Sequence, residues 1–313
     1  MKFIERTHYI ASGLVRPITS IRGVYRLCQA INKIHLSLGS PPIKIARMVD
    51  NTSIIIDLRS GTEWYAWYTG RYDELQLDVC RSLLRALGGN FLDVGGNIGM
   101  YAVRIACAIP NATVHVAEPV PSNADRIEEN ATLNNVSGRI KLIRMALSNR
   151  EGEVNITLRE DFERGSNTGN ASVAISDDAD GQFEMIKVRA ACFDAVQQTQ
   201  AINDVHVMKI DIEGHEDLFF EGARDWLLSM KPFIFTEINQ WYYEKRGTTA
   251  GVAFRRTLPS DYNAYLMRRD DKQIIFSHIV DIDNLKGMKN ALLAPDAMLQ
   301  DVCNISPHLL KAI

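Results

Sequence analysis

Phe91-Leu92-Asp93-Val94-Gly95-Gly96-Asn97-Ile98-Gly99 is a short apolar run that passes straight into a glycine turn. A strand buried on both faces reads as continuous apolar sequence, and glycine after it supplies a tight turn and room for close backbone approach. Working outward, Asn90–Val94 is a strand, Met100–Ala108 a helix, Thr113–Ala117 a second strand, Ser122–Asn134 a polar helix and Ile140–Leu147 a third strand. Strand, turn and helix repeating every ~25 residues predict a parallel sheet with crossover helices.

Upstream, 62–88 carries Trp64, Tyr65, Trp67 and Tyr68, then a helical pattern from Leu75 to Leu87 that Gly88-Gly89 ends. Residues 43–58 predict a β-hairpin turning at Asp50-Asn51. In 10–38, Leu14, Ile18, Ile21, Tyr25 and Cys28 recur at helical spacing among Arg16, Arg22, Arg26 and Lys33, until Ser40-Pro41-Pro42 breaks the helix. Such a basic amphipathic helix suits a membrane face or a second subunit, or simply packs on its own domain. Downstream, 151–196 interrupts the alternation as a β-excursion with a Gly/Ser/Asn/Asp-rich loop. The parallel pattern then resumes with Val205–Ile210, a helix over 216–230 and Pro232–Ile238. A helix near 241–246, strands near 263–269 and 273–279, and a loop and tail complete the chain. The division expected is an N-terminal helical extension, 1–42, before one α/β domain, 43–313.

A chain of 313 residues, 46% hydrophobic, is long enough for a full α/β core. A net charge of -3 without a basic run gives no support for a nucleic-acid partner. Five cysteines, none in a C-x-x-C pair, fit reduced thiols. The first 20 residues lack a signal-peptide core and cleavage site, and 18 consecutive apolar residues occur nowhere. The expected location is cytoplasmic.

The glycine turn is not a dinucleotide fingerprint. Glycines at relative positions 1, 3 and 6 are required, and counting from Gly95 gives Asn97 and Met100, from Gly96 Ile98 and Tyr101. A Walker loop also fails, since no Gly-Lys-Ser/Thr follows. Asp93, two residues before the first glycine, suits a cationic and phosphate-free cofactor, and Glu118 ends the next strand where a carboxylate can take ribose hydroxyls. Together they favour S-adenosylmethionine (SAM).

A second polar cluster, Lys209-Ile210-Asp211-Ile212-Glu213-Gly214-His215-Glu216, ends an apolar strand and opens a helix. Ligands of open α/β sheets collect at the carboxyl ends of strands, so it should face the same crevice. Methyl transfer to a hydroxyl needs aligned atoms and a group that removes the proton. Asp211, Glu213, His215 and Glu237 are the candidates, with His215 the first choice because imidazole titrates nearest neutrality. Asp211 and Glu213, completed by Glu237, are the alternative as oxygen ligands of Mg²⁺, though no metal is expected. Trp64, Trp67, Tyr68 and Tyr72 on one side and Trp241, Tyr242 and Tyr243 on the other either wall the pocket or pack in the core.

With these motifs placed, the chain resembles the FkbM family of SAM-dependent O-methyltransferases, through FLDVGGNIG (91–99), AEPVPSNADRIEEN (117–130), ALSNREGEV (146–154), MKIDIEGHEDLFFEGA (208–223) and KPFIFTEIN (231–239). Gly96 departs from the alanine frequent there, a change expected to be harmless to cofactor binding. The resemblance implies a class I methyltransferase fold, Rossmann-like, with a seven-stranded sheet and helices on both faces. It also implies that Asp93, Gly95, Asn97 and Gly99 line the methionine part of SAM, that Glu118 holds the ribose, and that Asn123 and the Ala146-Leu147-Ser148 stretch lie near the adenine or its edge, with Gly96 and Pro119 among the cofactor-binding residues. The activity implied is methyl transfer to a hydroxyl of a saccharide or sugar-bearing metabolite. The alternatives are a SAM-binding partner protein without turnover, or an NAD-type oxidoreductase.

Overall fold

The computed structural model describes residues 3–18, 23–166, 168–174, 180–271, 273–306 and 310–312. At the N-terminal end lie helices α1 (Phe3–Val15) and α2 (Val24–Ser37), the antiparallel hairpin β1 (Ile43–Arg47) and β2 (Ser53–Asp57), then α3 (Trp64–Thr69) and α4 (Glu74–Leu87). The expected single helix is divided, because Pro17 and Gly23 (φ 95°) fall inside it. The recurring apolar positions divide between two faces: Leu14 and Tyr25 are exposed, while Cys28 is buried together with Val15 and Val24. Ile21 lies outside the described residues. Buried polar ties fix both helices, His8 between the Ser40 hydroxyl (3.0 Å) and the Tyr68 hydroxyl (2.6 Å), and Asn32 donating to the Leu58 carbonyl (2.8 Å).

The central sheet starts with β3 (Asn90–Val94), β4 (Val114–Ala117) and β5 (Ile140–Ile143), linked by α5 (Ala102–Ala108) and α6 (Pro121–Leu133). A smaller sheet follows, from β6 (Ala146–Ser148), β7 (Gly152–Leu158), β8 (Ala171–Val173) and β9 (Met185–Cys192), in the order β6-β9-β7-β8. The chain returns to the main sheet with β10 (Val205–Ile210), β11 (Phe233–Ile238), β12 (Tyr262–Asp270), β13 (Gln273–His278), β14 (Lys289–Pro295) and β15 (Leu310–Ala312). Its order is β15-β13-β12-β14-β11-β10-β3-β4-β5. From β11 to β5 all strands are parallel, while β14 runs antiparallel to both β11 and β12.

This is the class I methyltransferase sheet with two additions, for β13 and β15 extend the β12 edge and make nine strands where seven were expected. Alternation within each strand builds the two faces. Phe91, Val207, Phe233 and Phe235 pack with α4, α5 and the helix Asp296–Ile305. Leu92, Met208, Ile210 and Ile234 face the helices Phe193–Thr199, Glu216–Gly222 and Ala250–Thr257 on the other side.

Three boundaries differ from those expected. Ile140–Leu147 is two strands, since a tight turn from the Ile143 carbonyl to the Met145 N–H sends 146–148 into the smaller sheet. The helix over 216–230 divides at Ala223, where Gly222 is pressed against the Ser148 carbonyl. The expected loop and tail contain a strand, a helix and an edge strand. Ala291-Leu292-Leu293-Ala294 is buried on both faces between β11 and β12.

Strand order reverses beside β3, since β4 and β5 build outward on one side and β10 and β11 on the other. Such a switch point opens a crevice at the carboxyl ends of the strands.

Candidate active site

The crevice at the switch point is lined by the glycine turn, Glu118 to Val120, Asn123, Met145 to Ser148, part of the smaller sheet and Lys209 to His215. Nine of the ten residues expected on the cofactor side line it, Asp93, Gly95, Gly96, Asn97, Glu118, Pro119, Asn123, Ala146 and Leu147, and Gly99 does not. Asp211, Glu213 and His215 line it as well, and Glu237, at the end of β11, does not.

The turn is shaped by the protein's own packing. Gly95 has φ 80°, and a Cβ on it would stand 2.1 Å from the Asp211 carbonyl oxygen. Glycine therefore brings the first turn against the strand end that carries Asp211. A Cβ on Gly96 would stand 2.2 Å from Val116 Cγ1 on β4. Alanine at 96 would need the β4 side chain to move.

Asp93 is buried, and its two oxygens differ. Oδ2 accepts the Ala102 N–H at the start of α5 (3.1 Å), while Oδ1 is buried without a partner. Asn97 Oδ1 is likewise buried and unpartnered. Glu118 accepts the Asn97 N–H at one oxygen (2.8 Å) and the Val120 N–H at the other (2.9 Å), so it clamps the turn to the end of β4 with lone pairs to spare. Burial raises Asp93 to about 6, against the pull of Lys209, and Glu118 to about 7, against its two N–H donors.

Asn123 lines the crevice and bonds Glu118. Its amide donates to the Gly169 carbonyl (3.1 Å) and accepts the Gly169 N–H (3.2 Å), holding the loop after β7 over the crevice. Two buried carboxylates stitch the same loop to the segment before α3. Asp161 accepts the Ser60 hydroxyl and Gly61 N–H (2.9 and 2.7 Å), and Glu63 accepts the Thr168 hydroxyl and Asp57 N–H (2.8 and 2.7 Å). Glu63 itself lines the crevice.

At the other strand end, Lys209 lies opposite Asp93 in the β3–β10 register and donates to Asp211 (3.1 Å), with its ammonium 4.9 Å from the Tyr101 ring centre. Burial lowers the lysine's affinity for its proton, but Asp211 and Asp93 outweigh that and keep it charged. Glu213 sits at φ 55° and is pushed to about 7 by burial and Asp211, with the Tyr242 and Asn170 side chains bonded to it. Burial and Asp211 hold Glu237 higher still, at about 8. His215 is lowered to about 4 by burial and Arg246; its ring bonds to the Glu213 carbonyl, and Nδ1 is buried without a partner.

Glu216 is the clamp of this second turn, accepting the Ile212 and Gly214 N–H groups (3.2 and 3.3 Å) and the Tyr243 hydroxyl (2.6 Å). Among the described residues, no group of three or more His, Cys, Asp or Glu side chains is gathered to hold a metal ion. Of the aromatic clusters only Tyr72 lines the crevice. Trp64, Trp67 and Tyr68 are buried under α1 and α2, Tyr242 packs on Gly214, and Trp241 is turned to solvent.

Sequence reasoning placed Lys209 in the second cluster without giving it a role, and it missed Glu63. A lysine inside an apolar strand two residues from Asp211 was a usable signal. Glu63 had none, because its partner Thr168 is distant in the chain.

A hexuronic acid methyltransferase, AglP, of Haloferax volcanii is 27% identical over 164 residues, covering 52% of this chain and 62% of that protein. Methyltransferase 1 of Beauveria bassiana is 22% identical over 172 residues, covering 49% and 66%. The chain thus spans somewhat under two thirds of each of these relatives. A solved structure of a methyltransferase FkbM from Methylobacillus flagellatus superposes with a TM-score of 0.39 at 16% identity, over 66% of this chain and 43% of that one. The model of the methyltransferase FkbM domain matches residues 93–272, from the aspartate before the glycine turn to the β12–β13 hairpin. That span is more than half of the chain and holds both strand ends of the crevice, and the protein belongs to the FkbM methyltransferase family.

Proposed function

We propose that the crevice binds SAM and that the protein transfers its methyl group to a hydroxyl of a saccharide or sugar-bearing metabolite, with residues 43–313 as the catalytic domain and 1–42 as an extension. The observation that carries this is a set of buried polar atoms without protein partners, Asp93 Oδ1, Asn97 Oδ1 and His215 Nδ1, on residues lining one crevice. A buried acceptor left unsatisfied is costly, so such atoms mark where a ligand's donors belong.

The first two fit the ammonium of an amino-acid moiety, and Glu118, with Pro119 beside it, has lone pairs free for ribose hydroxyls. Gly95, Gly96 and Gly99 shape the turn, and Ala146 and Leu147 offer an apolar wall to adenine. When bound, the sulfonium supplies an activated methyl group and loses its positive charge on transfer. His215 is the base in this scheme. Its bond to the Glu213 carbonyl uses one ring nitrogen as donor, which leaves Nδ1 as a neutral acceptor for the hydroxyl proton. Asp211 and Glu213 orient neighbouring hydroxyls, and Lys209 offsets the charge of Asp93 and Asp211. Glu237, outside the lining, lies in the field of Asp211 and Glu213 and takes no direct part in this scheme.

A saccharide acceptor is favoured by the carboxylates at the second strand end, which suit hydroxyl donors. The hexuronic acid methyltransferase among the relatives points the same way. The test is turnover of methyl-labelled SAM with a panel of neutral, amino-sugar and uronic oligosaccharides. Acceptor-dependent S-adenosylhomocysteine (SAH), with label on the sugar that survives mild alkali, is expected for an ether. Alkali-labile label would mean a carboxyl acceptor. Binding of SAH without turnover on any acceptor would mean a partner protein, and thermal stabilisation by NAD alone would overturn the cofactor assignment.

A further inference from the structure

The N-terminal helices are satisfied on one side and bare on the other. α1 turns His8, Ser12 and Val15 inward and leaves Ile10 and Leu14 57% and 70% exposed; α2 buries Val24, Cys28 and Asn32 and leaves Leu27 and Ile34 outside. Of the seventeen exposed large apolar side chains among the described residues, ten fall between residues 9 and 49. Apolar exposure concentrated in one sixth of a chain marks an interaction surface.

Charge identifies what covers it. Residues 1–49 contain eight lysines and arginines and one acid, a net +7, while the remainder of the chain carries -10. Arg6, Arg26, Lys33 and Arg47 are exposed beside the bare apolar residues. Two copies meeting through this surface about a twofold axis would bring like charges together. An anionic bilayer offers what the surface lacks, negative charge at the headgroups and an apolar layer just beneath. None of the described helices is long and apolar enough to cross a membrane, so the contact is with the surface.

We propose that the outer faces of α1 and α2 dock this protein on an anionic lipid bilayer. α1 and α2 pack on α3, and Thr62 and Glu63, just before α3, line the crevice. Docking therefore holds the crevice close to the lipid surface, where an acceptor carried on a lipid is within reach. It does not depend on which acceptor is methylated.

The test is co-flotation of the full chain with vesicles of phosphatidylcholine alone and of phosphatidylcholine mixed with phosphatidylglycerol. The protein is expected to float with the mixed vesicles at low salt and to partition about tenfold more weakly onto neutral ones, in keeping with the attraction each basic residue has for an anionic surface. Ile10→Ser with Leu14→Ser, and separately Arg26→Glu with Lys33→Glu, should each cut partition by about tenfold while leaving the melting temperature unchanged, as all four side chains are solvent-facing. Absence of flotation with mixed vesicles, equal flotation with both compositions, or retention of binding in both variants overturns the proposal. A dimer seen by light scattering that these substitutions dissolve, without flotation, overturns it in favour of a second copy.

Discussion

At Asp93, burial and the Lys209 ammonium pull in opposite directions, and burial prevails, so the carboxyl is held at about 6. Glu118 is held at about 7. Both values lie above the ordinary carboxylate range. Their contribution to folding stability is therefore fully present below about pH 4 and is lost as pH rises through 6 to 7. A ligand ammonium beside Asp93 favours the ionised form and reverses that loss. The rise in melting temperature produced by SAH should accordingly be larger at about pH 7.5 than at about pH 5.5, as scanning calorimetry would show. Asp93→Asn keeps an acceptor for the Ala102 N–H and removes the charge; SAH affinity by titration calorimetry should fall about 10- to 100-fold, the worth of one charged hydrogen bond. His215 and Glu213 separate by pH. With His215 at about 4 as base, kcat at saturating SAM stays level down to well below neutrality, and His215→Asn lowers it by ~10²-fold or more with SAH binding intact. An acid limb near 7 that survives in His215→Asn would assign the proton to Glu213 instead. Asp93, Glu118, Asp211 and His215 were legible because each is a polar residue at or just past the end of an apolar run. Glu63 and Asp161 were not, because their meaning lies in hydrogen bonds across about a hundred residues of chain.

The glycine turn shows how an element is specified from outside itself. Gly96 has an ordinary φ, and it is Val116 on the neighbouring strand that excludes a side chain there. Gly96→Ala should destabilise by ~1–3 kcal/mol in urea melts, the usual effect of overpacking. Adding Val116→Ala should recover part of that, so the double variant loses less than the sum of the singles. Strands β3, β4, β10 and β11 were readable from their mainly apolar sequences. The break after Ile143 was not, since Arg144-Met145 carries no Gly or Pro to announce it, and β14 was missed because its buried ALLA is only four residues long between polar flanks.

Across the whole molecule, Arg104 joins parts that are remote in sequence. Its side chain is fully buried on α5, and it donates to Asp50 in the hairpin turn (2.7 Å), to both oxygens of Glu74 on α4 (2.9 and 3.0 Å) and to the Tyr72 carbonyl beside the crevice (3.1 Å). Burial alone would raise Asp50, but Arg104 and Arg81 outweigh it and hold the carboxyl at about 2. This contribution is present above the ordinary carboxylate range and lost as pH falls towards 2. Arg104→Met leaves two carboxylates short of their counter-charge and should cost ~3–5 kcal/mol of unfolding free energy in urea at neutral pH, a deficit that narrows in acid. The α/β class and the family were legible at this scale, since they rest on the order of strands and turns. The two edge strands were not, because nothing in the parallel pattern before them requires the sheet to continue.

The antiparallel strand between β11 and β12 bears on how the protein is made. β12 and β13 leave the ribosome before β14, yet they reach the central sheet only through it. Until residues 289–295 have emerged, a nascent chain can close the hairpin but cannot seat it, and β11 keeps an open apolar edge. Residues 289–295 are the keystone of the sheet, so a translation arrest shortly before them would release a species with its crevice largely built and its sheet unsealed.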